Sequence, residues 1–289
     1  MITGSIVALV TPMHADGQID WDAVDRLVEF HVKKGTDAIV AVGTTGESAT
    51  LDAKDHCAFI EYVVKRTAGR RPVIAGTGGN STAEAIEWTQ EAKAVGADAC
   101  LLVTPYYNKP PQRGLIKHYE AIAAAVDLPQ IIYNVPGRTA SNVLPSTVIR
   151  LANDFESIVA IKEAAGDIVQ AMELISGCPK DFLVISGDDM ITLPMVLAGG
   201  AGVISVIGEG FPKEFSKMVR LGFERKVDEA YDIHYKIAPA IDYIFQEGNP
   251  AGIKAVFKKL GICNDTVRLP LVGVSDCLRR NIDAFIEEF

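Results

Sequence analysis

The sequence has little of what marks an exported, disulfide-linked or nucleic-acid-binding protein. Only five of its 289 residues are cysteines, and they are scattered without a Cys-x-x-Cys pair, which argues against a zinc ribbon or a disulfide framework. Positive charge is also scarce: the formal net charge is -9, whereas nucleic acids and anionic membranes attract basic surfaces. We therefore expect neither nucleic acid nor membrane as a partner.

Targeting segments are missing as well. The amino terminus has no basic leader before Thr11-Pro12, so we expect a protein that is not exported and works in the cytoplasm. A long uncharged run, residues 191–208, is interrupted by Pro194 and several glycines. It predicts a helix followed by a strand rather than a membrane span.

Cofactor motifs fail on inspection. The segment Gly76-Thr-Gly-Gly-Asn-Ser81 carries a serine where a dinucleotide fingerprint needs its third glycine, and the lysine of a phosphate-binding loop is missing. The five histidines are dispersed along the sequence, although a barrel can gather ligands from distant strands. The sequence predicts no cofactor and no metal.

What the sequence does contain is a repeated alternation of short apolar runs and helical patterns. Helix starts are indicated by capping residues or by prolines in the first turn, at Asp20, Asp52, Ser81, Pro145 and Pro212. The predicted strands, rich in β-branched and other apolar residues, are Ser5–Val10, Ala38–Val42, Pro72–Ala75, Ala99–Val103, Gln130–Tyr133, Ile158–Lys162, Phe182–Ser186 and Gly202–Val206.

Eight βα units favour a closed (β/α)8 TIM barrel over the alternative, a doubly wound open sheet. We place this catalytic barrel at residues 1–222. Residues 223–289 contain helical patterns without further strands, at 228–245, 251–260 and 276–289, and are predicted to be a C-terminal helical appendage.

Lys162 is the most informative residue, because it ends an apolar strand in a place where the charged ammonium is disfavoured. A lysine of this kind can act as a nucleophile toward a carbonyl. The alternative is a lysine that extends to the surface or pairs with Glu163. Active sites of barrels lie at the carboxyl ends of the strands, where Lys162 is predicted.

Other strand ends carry polar groups. Gly43-Thr-Thr-Gly-Glu-Ser48 follows the second predicted strand and offers amides and hydroxyls to a small carboxylate, or else is a tight turn before a helix. Thr104-Pro-Tyr-Tyr-Asn108 follows the fourth, and aromatics of that kind more often lie in an interface or core. Tyr133-Asn-Val-Pro-Gly-Arg-Thr139, at the end of the fifth predicted strand, adds a tyrosine that can relay protons. Its arginine either binds a carboxylate with two hydrogen bonds or is a surface cation. Gly187-Asp-Asp189 follows the seventh predicted strand.

In this order, the segments Gly43–Ser48, Tyr133–Thr139, Ile161–Ala164 and Gly187–Asp189 resemble the dihydrodipicolinate synthase family over essentially the whole chain. The resemblance implies a class I aldolase-type barrel that joins pyruvate to L-aspartate 4-semialdehyde, on the diaminopimelate route to lysine. It implies that Lys162 forms a Schiff base with pyruvate. It also implies a homodimer or a homotetramer built as a dimer of dimers.

The resemblance further assigns roles to individual positions. The catalytic residues are Lys162, Tyr133, Thr44 and Tyr107, the last contributed by a neighbouring subunit, and the substrate-binding residues are Thr45, Arg138, Gly187 and Ile204. L-lysine is implied as an inhibitor at a separate site made by Ser48, Ala49, His56, Asn80, Glu84 and Tyr106. Two observations count against this site. Ala53 stands where some lysine-sensitive members of the family carry a histidine. Ser81-Thr-Ala-Glu84 also matches a capping box, in which Glu84 would only cap its helix.

Three alternatives remain open. A sister aldolase, such as N-acetylneuraminate lyase or a keto-deoxy sugar acid aldolase, would share Lys162 and Tyr133 but replace the segment around Arg138. A metal-dependent barrel hydrolase would need clustered histidines and acids. A non-catalytic barrel would form no imine.

Overall fold

The computed structural model describes residues 2–289. Eight parallel strands follow one another around a closed barrel, and the eighth pairs with the first. This confirms the predicted barrel and excludes the open sheet. The strands are β1 Gly4–Ala8, β2 Ala38–Ala41, β3 Val73–Gly76, β4 Ala99–Val103, β5 Gln130–Asn134, β6 Ile158–Glu163, β7 Leu183–Ser186 and β8 Gly202–Ser205.

Helices lie between the strands and after the last of them. The predicted helix starts are confirmed: Asp20, Asp52 and Ser81 accept backbone N–H groups as N-caps, and Pro145 and Pro212 begin their helices. The helices are α1 Trp21–Lys34, α2 Ala53–Thr67, α3 Thr82–Ala94, α4 Gln112–Ala125, α5 Pro136–Thr139, α6 Pro145–Asp154, α7 Ile168–Gly177, α8 Thr192–Ala198, α9 Ile207–Gly210, α10 Pro212–Phe223, α11 Val227–Gln246, α12 Ala251–Lys259 and α13 Asp276–Glu288.

The strands are apolar on both faces because both faces are covered. One face points into the barrel, where residues such as Ile6, Ile74 and Ile131 form a closed apolar cluster. The other face packs under the helices, as Val7 of β1 and Ile39 of β2 do. Such two-sided burial is what distinguishes a parallel barrel strand from a half-exposed strand.

The C-terminal helices pack onto the barrel rather than apart from it. Ile241 of α11 and Phe257 of α12 belong to the same apolar cluster as Val7 of β1. The uncharged run at 191–208 forms α8 and β8, as predicted. In the part of the chain from residue 2 onward, no helix combines the length and the apolar character needed to cross a bilayer.

Candidate active site

Lys162 and Tyr133 lie side by side at the carboxyl end of the barrel. They are paired in register on the neighbouring strands β6 and β5, so both side chains point to the barrel interior. The Nζ atom of Lys162 lies 4.2 Å from the centre of the Tyr133 ring. Only 5% of each residue is exposed. A primary amine and a phenol hydroxyl group thus occupy the same end of the barrel.

Gly187, one residue beyond β7, makes room for the lysine. A Cβ atom at Gly187 would lie 2.8 Å from Lys162 Cε and 2.6 Å from the Cβ atom of Ala164. Both distances are shorter than atoms tolerate, so a side chain at Gly187 would displace the lysine stem. The absence of a side chain at Gly187 therefore leaves room for the stem of Lys162.

Glu163 does not pair with Lys162. As the next residue on the strand it points to the opposite face, where its carboxylate accepts from Asn134 Nδ2 at 3.0 Å and from Gln170 Nε2 at 3.0 Å. It also accepts from the Ala165 amide at 2.7 Å. Burial raises the pKa of Glu163 above its ordinary value, and these hydrogen bonds oppose that rise. Lys162 is left facing the interior.

Thr44 and Thr45 line the same cavity as Lys162. The loop is tightly wound, with Gly46 N donating to Gly43 O at 3.0 Å, and Thr11 Oγ1 donating to Gly46 O at 2.7 Å. The Thr45 hydroxyl accepts from Asn249 Nδ2 at 2.9 Å, and both residues are buried. The hydroxyl is thereby fixed in place by a residue from the far end of the sequence.

These residues line one cavity of about 740 Å³ at the carboxyl end of the strands. Arg138, on α5, lies at its edge and is exposed. The helix α11 supplies one wall through Asp242 and Phe245. The cavity is large enough for two small carboxylic acids, with an amine inside it and a guanidinium at its edge.

Asp189 forms part of the cavity wall on the β8 side. Its Oδ2 atom accepts from the amides of Val206 and Ile207, at 3.1 and 2.8 Å. Burial raises the pKa of Asp189 to about 6, against these hydrogen bonds, which lower it. The carboxyl thus ties the loop after β7 to the beginning of α9.

Two of the expected site residues, one of them expected from a neighbouring subunit, do not line the cavity of this chain. Tyr107 is 90% exposed and has a φ of +68°, a left-handed conformation that is uncommon for tyrosine. Ile204 lies inside the barrel with Ile6, and Val206, two residues further on, is the side chain that lines the cavity.

Of the six positions of the expected lysine site, Asn80 and Tyr106 are in direct contact, in the loops after β3 and β4. Asn80 Nδ2 donates to Tyr106 O at 3.2 Å, and His56 Nε2 donates to Gly76 O at 2.8 Å. Ser81 Oγ accepts from the Glu84 amide, which leaves the carboxylate of Glu84 exposed at the start of α3. Ser48 and Ala49 begin a short 3₁₀ turn after the Thr44–Thr45 loop.

The sequence did not point to the residues that come from the C-terminal region. The rule that barrel sites lie after strand ends does not predict these residues, because none of them follows a strand. They are Asp242, Phe245 and Asn249. Only their proximity to the barrel mouth identifies them.

The whole chain, residues 1–289, matches the Dihydrodipicolinate synthetase family. The chain belongs to this family. It is 55% identical to a 4-hydroxy-tetrahydrodipicolinate synthase of Flavobacterium psychrophilum, over 99% of this chain and 97% of the relative.

Solved structures of the dihydrodipicolinate synthetase family superpose closely. The chloride-inhibited enzyme of Acinetobacter baumannii, in complex with pyruvate, aligns with a TM-score of 0.97 and 44% identity over 100% of this chain and 99% of that chain. The enzyme of Cyanidioschyzon merolae with lysine bound aligns with a TM-score of 0.96 and 38% identity, over 99% and 97% of the two chains.

Proposed function

We propose that this protein is a 4-hydroxy-tetrahydrodipicolinate synthase, which joins pyruvate to L-aspartate 4-semialdehyde. The observation that carries the proposal is the buried amine of Lys162, which faces a cavity beside Tyr133 with Arg138 at the edge. Membership of the dihydrodipicolinate synthetase family, and a relative of that name at 55% identity, support the same activity.

The chemistry begins with Lys162. Its uncharged amine adds to the ketone carbon of pyruvate, and loss of water leaves an imine. Tyr133, whose ring centre lies 4.2 Å from Nζ, carries protons for these transfers. Thr44 and Thr45, with the amides of their loop, hold the pyruvate carboxylate, and Asn249 fixes the Thr45 hydroxyl for that role.

The imine loses a proton from the methyl carbon and becomes an enamine. That carbon attacks the aldehyde of the semialdehyde, which forms the new carbon–carbon bond and leaves a hydroxyl group. The amino group of the semialdehyde then adds to the imine carbon and displaces the amine of Lys162, so the ring closes and the enzyme is regenerated. Arg138 binds the carboxylate of the semialdehyde at the mouth, because a guanidinium matches a carboxylate with two hydrogen bonds.

Two further features belong to the proposal. The active form is at least a dimer, since Tyr107 is exposed, does not line the cavity of its own chain and can complete the proton relay of a neighbouring subunit through Thr44. L-lysine inhibits at the region of Asn80, Glu84 and Tyr106, and a lysine-bound relative of similar fold supports this.

An assay with purified protein tests the proposal. Pyruvate and aspartate 4-semialdehyde should both be consumed in a coupled assay, in which a reductase acts on the product and its reaction is measured. Borohydride with pyruvate should modify Lys162, as found by peptide mass mapping, and inactivate the enzyme. Cleavage of N-acetylneuraminate, or of a keto-deoxy sugar acid, with no condensation would support a sister aldolase instead. Full activity with unmodified Lys162 would refute the Schiff base.

A further inference from the structure

A buried ion pair joins the C-terminal region to the loop that carries Thr44 and Thr45. Lys254 Nζ, on α12, donates to Glu47 Oε1 at 2.5 Å, and both side chains are fully excluded from solvent. Glu47 lies two residues after Thr45 in the same loop. A buried charge is costly unless it is paired and hydrogen-bonded, so this pair holds only if its geometry is well satisfied.

The remaining polar atoms of the pair are satisfied. Lys254 Nζ also donates to Thr266 O at 2.7 Å, and Glu47 Oε2 accepts from the Arg268 amide at 2.8 Å. Glu47 itself has a φ of +59°, a conformation that residues other than glycine seldom adopt. The contacts from Lys254 and Arg268 hold it there.

The pair is connected to the threonines by two short routes. The Glu47 amide donates to Thr44 O at 3.1 Å, so the conformation of one fixes the other. On the opposite side, α12 begins two residues after Asn249, whose amide donates to the Thr45 hydroxyl at 2.9 Å. The same C-terminal segment therefore contacts the loop at Thr45 and at Glu47.

Among the groups around Lys254, Glu47 is the one whose negative charge balances the ammonium. Glu209, the other buried carboxyl that interacts with Lys254, has its pKa raised well above the ordinary value, chiefly by burial. The nearby Cys263 thiol has its pKa raised to about 12 by burial and stays protonated. Loss of the Lys254 charge would therefore leave the carboxylate of Glu47 buried without a counter-charge.

We propose that Lys254, acting through Glu47, is a positioning residue for the pyruvate carboxylate site, so that the C-terminal region completes that site. The inference rests on the proposed function, which places the carboxylate at Thr44 and Thr45. Lys254 touches neither substrate and acts by fixing the backbone of the loop.

Three variants test the proposal. In Lys254→Met, which keeps the length of the chain without its charge, the KM for pyruvate should rise roughly tenfold or more, while the KM for the semialdehyde stays unchanged. In Glu47→Gln combined with Lys254→Met, the thermal stability lost by the single variant should return, because no lone charge remains, but the KM for pyruvate should stay raised. Lys258→Met, one turn further along α12 at an exposed position, is the control and should leave both KM values unchanged.

Hydrogen exchange of the loop peptide at residues 43–50 adds a measurement that does not depend on turnover. Exchange there should be faster in the double variant than in the wild-type protein and unchanged in Lys258→Met. A double variant with wild-type exchange and wild-type KM for pyruvate overturns the proposal, as does an equal rise of both KM values. A wild-type protein that does not condense pyruvate with the semialdehyde would refute the proposed function. Hydrogen exchange at residues 43–50 would then decide by itself whether Lys254 orders the loop.

Discussion

At the scale of single residues, the position of the Lys162 amine depends on the missing side chain at Gly187. We expect Gly187→Ala to slow trapping of the pyruvate imine by borohydride about a hundredfold, because the added Cβ would lie 2.8 Å from Lys162 Cε and displacement of a reacting group by about 1 Å costs on that order. The rate of pyruvate-dependent modification of Lys162 measures this. Gly273→Ala, where the new Cβ meets no atom within 4 Å, should trap at the wild-type rate. Equal rates in all three proteins would show that Gly187 does not restrain the lysine.

The proposed role of Arg138, to bind the semialdehyde but not pyruvate, is also tested at the scale of single residues. Arg138→Ala should raise the KM for the semialdehyde by tenfold or more, roughly the loss of a charge-assisted pair, while imine formation with pyruvate persists. Arg138→Lys should recover only part of the loss, because an ammonium does not reproduce the paired hydrogen bonds of a guanidinium. Steady-state kinetics with each substrate varied in turn measures both. Equal damage to the two substrates would indicate a structural role for Arg138.

At the scale of secondary-structure elements, Asp189 connects the β7–α8 loop to the start of α9. Its pKa of about 6 lies above the ordinary 3.8, so the folded state binds this proton more tightly than the unfolded state. The free energy of unfolding should therefore fall as the pH rises from about 4 to about 6, by at most about 3 kcal/mol from this group.

Asp189→Asn tests that pH dependence, since the amide oxygen can still accept from Val206 and Ile207 while the charge is absent. Urea unfolding at pH 4, 5, 6 and 7, at one protein concentration, should show the variant gaining stability relative to the wild type as the pH rises. A difference between the two proteins that does not change with pH would contradict the raised pKa.

At the scale of the whole molecule, the exposure of Tyr107 leads to a test of whether the active form needs two subunits. Tyr107→Phe and Lys162→Ala should each lose about 10²- to 10⁴-fold or more in rate, because one lacks a proton carrier and the other the nucleophile. After the two are mixed under conditions that allow subunits to exchange, some sites combine Lys162 of one chain with Tyr107 of its neighbour, and partial activity should return. Analytical ultracentrifugation of the wild type gives the second measurement. A fully active monomer would remove the need for Tyr107 from a neighbour.

The proposed inhibition by lysine also belongs to the scale of the whole molecule, since it requires coupling between the region of Asn80 and Tyr106 and the cavity. We expect millimolar lysine to inhibit the coupled assay, with a coupling of about 1 to 3 kcal/mol between the sites. Glu84→Thr should abolish the inhibition by removing the carboxylate that pairs with the ligand ammonium, while the Glu84 amide keeps its cap bond to Ser81. Glu87 is exposed on the same helix, and the control variant Glu87→Thr should be inhibited by lysine as the wild type is. Inhibition that survives Glu84→Thr would remove the proposed site.

The division of the chain at residue 222 stays a prediction, but the packing favours close dependence of its two parts. A single apolar cluster joins β1 to α11 and α12, and the ion pair of Lys254 with Glu47 crosses the same boundary. We therefore regard the C-terminal helices as part of the site rather than as an appendage beside it.

The sequence by itself determined the eight strands, the capped helix starts and the position of Lys162 at a strand end. These features are local: β-branched runs favour strands, an N-cap acts within three residues, and alternation along β6 places Lys162 and Glu163 on opposite faces. Only the tertiary structure decided which distant residues complete the cavity. Asn249 meets Thr45 across 204 positions, and Lys254 meets Glu47 across 207. No periodicity connects residues so far apart, because closure of the barrel and packing of α11 and α12 over its mouth are what bring them together.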